Sequence, residues 1–131
     1  MKIKTILNTL EGLSFIVKKS MPATVTYALL KNTKQLEAEQ SYFIQLQDTL
    51  IKECVETEED GSFKTVEGTP NKFILKEDKI EYYNTEMEKI MNLDVNINIQ
   101  TIPFEAIENL NLTLEEMSVL EFMIKEDNKE G

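Results

Sequence analysis

A chain of 131 residues is long enough for one domain with one core, and 41% hydrophobic against 29% charged residues is the balance of a globular protein, not of a disordered one. There are 14 Lys but no Arg, His or Trp; this removes His-based triads and imidazole metal ligands, and it leaves no guanidinium fork for phosphate or guanine. The net charge of −10 is unevenly placed, with six Lys against Glu11 alone in residues 1–36 and eight Lys against 23 acids in residues 37–131, a balance that argues against direct nucleic-acid binding.

Ile3, Ile6, Leu7, Leu10, Leu13, Ile16 and Val17 recur at helical spacing, so residues 2–19 read as a first amphipathic helix. Asn8, Glu11 and Ser14 interrupt it, which a secretory signal would not tolerate. Lys18 and Lys19 suit the negative end of its dipole. Gly12 inside the helix costs about 1 kcal/mol relative to Ala, and a close approach to another helix is its usual justification. No apolar run reaches the roughly 20 residues of a membrane span, so no membrane partner is expected and a cytoplasmic or intracellularly made protein follows.

After Ser20-Met21 the chain enters the stretch that organises the rest, from Pro22 to about Thr57. Leu29, Leu36, Phe43 and Leu50 recur every seven residues with Val25, Ile44 and Leu46 between them, while Lys, Glu and Gln fill the opposite side. Pro22 stands where a helix accepts it, because its missing N–H would have no partner in the first turn. One long helix is expected, forming a helical hairpin over 2–57 with the first. At ~1.5 Å per residue it would run roughly 54 Å, against roughly 36 Å for a compact sphere of this chain length. Either the helix is kinked or shorter than this, or the molecule is elongated and part of its stripe meets another chain. Val25, Leu29, Asn32, Leu36, Glu39, Phe43 and Leu50 form a candidate interaction seam, in which Asn32 and Glu39 either fix register or lie at the margin of an ordinary core.

Cys54 has no second cysteine to pair with and no His to activate it, so it reads as a small residue on the long helix. Glu53, Glu56, Glu58, Glu59 and Asp60 form a candidate acidic contact surface, without the alternating spacing of a calcium loop. Residues 61–91 begin as a turn-rich interval in which Phe63, Val66, Phe73 and Leu75 flank Glu67-Gly68-Thr69-Pro70-Asn71, which reads as two short strands or a loosely ordered hairpin. Asp78 with Glu81 then marks a helix start, continued by Ile80, Tyr83, Met87 and Ile90.

Leu93 to Ile102 alternates Val95, Ile97 and Ile99 with Asp94, Asn96, Asn98 and Gln100, the pattern of a half-buried strand, ended by Pro103. Residues 104–124 hold a short helical turn around Phe104, Ile107 and Leu110. A last helix then opens on the capping box Thr113-Leu114-Glu115-Glu116 and carries Leu114, Met117, Leu120, Met123 and Ile124. Residues 125–131 read as a frayed polar tail. The expected fold is a single α+β domain over 1–131, mainly helical, with a small antiparallel sheet that includes 93–102.

Lys34-Gln35-Leu36-Glu37 through Leu50, Glu58-Glu59-Asp60-Gly61, Tyr83-Asn84-Thr85-Glu86-Met87, Asp94-Val95-Asn96-Ile97 and Leu112-Thr113-Leu114-Glu115-Glu116 to Leu120-Glu121 follow one another in an order that resembles a group of small acidic proteins of unknown function encoded by tailed bacteriophages and prophages. The absence of Arg from the long helix departs from that pattern. The resemblance implies a phage context and a virion-associated or accessory role; every shared motif is packing or capping chemistry, so it brings no catalytic residue. No carboxylate pair here adjoins a base, a Gly-rich phosphate loop or a metal-ligand spacing, so no enzyme, no metal and no cofactor are expected. The expected function is protein–protein contact, with a protein partner or self-association; the alternative is an acidic inhibitor of a host defence nuclease that imitates a nucleic acid.

Overall fold

The computed structural model describes residues 1–16 and 18–125; Val17 and residues 126–131 lie outside them, and Lys125, expected as the first residue of the frayed tail, instead pairs with Pro103. The fold is α+β and mainly helical. Four α-helices are described, α1 (Ile3–Leu13), α2 (Ala23–Cys54), α3 (Ile80–Met91) and α4 (Leu114–Leu120). Strands β1 (Thr65–Val66) and β2 (Thr69–Phe73) pair antiparallel, and β3 (Ile102–Pro103) pairs in parallel with β4 (Ile124–Lys125). Contacts gather into two compact units, Met1–Gln40 with Asp94–Gly131, and Ser41–Leu93.

In the first unit α1 is shorter than the apolar period suggests. Beyond Leu13 the N–H groups of Ser14, Phe15 and Ile16 reach only three residues back, to the carbonyls of Glu11, Gly12 and Leu13, and the Ser14 hydroxyl also donates to the Glu11 carbonyl at 2.6 Å. The helix thus unwinds into successive turns. α1 makes a close helix–helix approach to α4. Gly12 makes that approach possible, since a Cβ there would stand 3.2 Å from Val119 Cγ2.

α2 is unbroken for 32 residues, about 48 Å at 1.5 Å per residue. Pro22 opens it, its carbonyl accepting from Val25 and Thr26 at 3.0 Å each. The portion in the first unit buries Val25, Ala28, Leu29, Asn32 and Leu36, and the portion in the second buries Phe43, Leu50 and Cys54. The chain covers this stripe itself. The candidate seam is therefore core, and its length gives no reason for an obligatory companion; of its members only Glu39 is partly exposed.

The segment 93–102 is extended and alternates as expected, with Val95, Ile97 and Ile99 half-buried and Asp94, Asn96 and Asn98 exposed. It is not part of the antiparallel sheet. Two carboxamides on α2 take the place of a neighbouring strand. Gln35 donates to the Asn98 carbonyl (2.7 Å) and accepts from its N–H (3.0 Å), and Asn32 does the same with Gln100 (2.9 and 2.7 Å). At the start of the segment, Val95 exchanges both backbone bonds with Met1, each 3.0 Å. At its end Ile102 pairs with Ile124. Ile124 had been expected in the last helix, but the chain tightens into a 3-10 turn over Glu121–Met123 and leaves it extended.

The second unit holds the hairpin. Glu67-Gly68 turns β1 into β2, with Gly68 at a φ of 79°, and Phe63 meets Phe73 edge to face at 5.6 Å. Asp78 does not cap α3, which is entered through a 3-10 turn over Glu77–Lys79 with no side-chain cap. Cys54 is fully buried, and burial pushes its thiol pKa up.

Candidate interaction surface

The two most exposed large apolar side chains among the described residues line the same groove. Leu114 is 88% exposed and Phe15 77%, and both line a groove of about 740 Å³ between the end of α1 and the start of α4. Gly12, Ile16 and Val119 contribute its apolar lining, and Thr113, Glu115, Glu116 and Ser118 its polar one. Phe15 lies beyond the last regular turn of α1, where the chain no longer follows the helical period that buries Leu13. Leu114 is the first helical residue of α4, which opens on the capping box. The Thr113 hydroxyl accepts from the Glu116 N–H at 3.1 Å, and the Glu116 carboxylate accepts from the Thr113 N–H at 3.0 Å.

Glu116 also pairs with Lys19 at 3.1 Å, joining the segment after α1 to α4. The Thr113 N–H first, then Lys19, hold this carboxyl below the usual carboxylate range. The neighbouring Glu115 is exposed at the groove. Fully covering a side chain the size of Phe15 or Leu114 yields about 1.5–3 kcal/mol. The groove thus offers an apolar pair flanked by a negative charge, which is recognition chemistry.

The candidate acidic surface lies in the second unit, and its members are not equivalent. Glu53 pairs with Lys79 at 3.7 Å and accepts from the Tyr82 hydroxyl at 3.4 Å. That carboxylate raises the Tyr82 pKa, and Lys79 stands 5.0 Å over the Tyr82 ring. Glu56 pairs with Lys64 at 3.6 Å. Asp60 accepts from the Ser62 N–H (3.0 Å) and hydroxyl (2.6 Å), which lowers its pKa and closes the turn at Gly61. Glu58 and Glu59 remain exposed. Among the described residues no three acid or thiol side chains come together as metal ligands, and no helix is long and apolar enough to cross a membrane.

Sequence reasoning missed Phe15 and Gln35. The available signal for Phe15 was its position off the stripe of the first helix; Gln35 carried none, because its role depends on where residues 95–101 lie. No family model matches the chain, and no curated protein or solved structure shows similarity to it.

Proposed function

We propose that this is a non-catalytic protein that acts by protein–protein contact, and that the groove between α1 and α4 makes that contact. The observation that carries the reading is the exposure of Phe15 and Leu114 on one groove with an apolar lining, since clustered exposed apolar side chains mark an interaction site more often than scattered ones do. The partner is a protein segment that inserts an apolar side chain and carries a cation to meet Glu115; a net charge of −10 favours such a partner in the encounter as well. The phage context, virion-associated or in an accessory or assembly role, rests on the sequence resemblance. An acidic inhibitor imitating nucleic acid has less support, because Lys79 and Lys64 partly neutralise Glu53 and Glu56.

The test is affinity capture from the producing cells with wild-type protein and with a Phe15→Ser/Leu114→Ser variant. The expected result is a stoichiometric partner that the variant loses and that charge reversal of Glu58 and Glu59 leaves bound. Loss on that charge reversal, with retention by the groove variant, would transfer the function to the acidic surface.

A further inference from the structure

The two edges of the segment 95–101 are treated differently. In an extended chain the N–H and C=O of one residue point to the same side, and successive residues point to opposite sides. On the even-numbered edge, Asn98 is bonded by Gln35 and Gln100 by Asn32. Ile102 continues that edge into the pairing with Ile124, since Pro103 has no N–H to give. On the odd-numbered edge Val95 is taken by Met1. Beyond it, no described residue bonds to the backbone of Ile97, Ile99 or Thr101. Along this edge Ile97 and Ile99 are half-buried and Thr101 is exposed.

Exposed edges are normally guarded by a charge, a proline or a bulge. From Val95 to Ile102 there is no charged residue and no proline, in a chain with 29% charged residues. We infer that the edge formed by Ile97, Ile99 and Thr101 pairs antiparallel with the same edge of a second copy of this chain, about a two-fold axis at Ile99. The choice of a second copy follows from self-complementarity. With Ile99 opposite Ile99, Ile97 falls opposite Thr101 in both directions, and each of these pairs exchanges two backbone bonds. Asn98 then faces Gln100, so no like charges meet across the axis. The groove between α1 and α4 takes no part, and the inference stands without it.

The experiment is molar mass by light scattering from micromolar to millimolar concentration, with amide hydrogen exchange on the same samples. Wild-type protein is expected to approach the mass of two chains, more readily in high salt because each copy carries −10. Amide protection at Ile97, Ile99 and Thr101 should rise with concentration. Thr101→Pro removes a donor that no described residue uses, and it should return the mass to one chain while Phe15→Ser does not. If Thr101→Pro fails to fold, the exchange of the wild-type amides still decides. A single-chain mass throughout, or a dimer whose Ile97, Ile99 and Thr101 amides stay unprotected, would overturn the inference. So would a monomer that takes up a synthetic peptide of residues 95–101 on this edge, which would make the edge a site for foreign strands.

Discussion

Asn32, fully buried on α2, holds the backbone of Gln100 by both its groups: its carboxamide donates to the carbonyl at 2.9 Å and accepts from the N–H at 2.7 Å. A buried amide inside an apolar stripe is costly unless fully satisfied, and here it replaces a strand neighbour. Asn32→Ala should therefore cost about 2–3 kcal/mol, because it leaves both backbone groups of Gln100 without their partner. Gln35→Ala, at a less buried position, should cost about 1 kcal/mol. Urea denaturation of the three proteins checks the order.

Asn32→Asp separates the two halves of that contact. A carboxylate can accept from the Gln100 N–H but cannot donate to its carbonyl, and its burial raises its pKa. The protonated acid restores the donor. Its deficit relative to wild type should be largest at neutral pH and shrink as pH falls through the raised value. Paired denaturation curves across pH measure this, and a constant deficit would exclude it.

Gly12 is a trade between helix propensity and packing. Ala is better than Gly in a helix by about 1 kcal/mol, but the new Cβ would sit 3.2 Å from Val119 Cγ2, and a β-branched side chain rotates away poorly. Gly12→Ala should be neutral within about 0.5 kcal/mol in the wild type and stabilising by about 1 kcal/mol in a Val119→Ala background. Thermal denaturation of the double-mutant cycle gives the coupling.

The Glu116 carboxyl titrates below its ordinary value in the folded state because of the Thr113 N–H and Lys19. The unfolded chain then binds more protons through that range, so this contribution rises with pH. It is fully present above the unfolded carboxyl pKa and disappears as pH falls through the lowered folded value. The stability difference between wild type and Glu116→Gln should follow the same course, and added salt should reduce the part due to Lys19.

Cys54 is fully buried, and burial first, then the Glu53 charge, raises its thiol pKa. Alkylation in native protein at mildly alkaline pH should be slow and accelerate with sub-denaturing urea, since only the exposed thiolate reacts. Mass spectrometry of iodoacetamide-treated samples follows it.

How much of this could be read from the residues follows from which interactions are local. The seven-residue recurrence of Leu29, Leu36, Phe43 and Leu50 marked a long helix and its buried side, because one helix face is set by spacing alone. Gly12 announced a close approach, and Thr113 with Glu116 announced the start of α4, because a cap is built within four residues. The alternation of Val95, Ile97 and Ile99 announced an extended segment. It could not announce that side chains from α2, and not a strand, would satisfy it, since Asn32 and Gln100 meet only after folding. The same holds for what covers the seam: spacing shows that a stripe must be buried but not by which chain. Leu114 counted as apolar helix face in the sequence, and its exposure depends on how α4 lies against α1.

The most direct measurement of the contact through the groove is photo-crosslinking in the producing cells, with a photoreactive residue placed in turn at Phe15, Leu114 and Glu58. The expected result is one discrete adduct of the same partner mass from positions 15 and 114 and none from position 58. An adduct from position 58 alone, or none from any position in cells where the protein is abundant, would contradict the assignment of the contact to the α1–α4 groove.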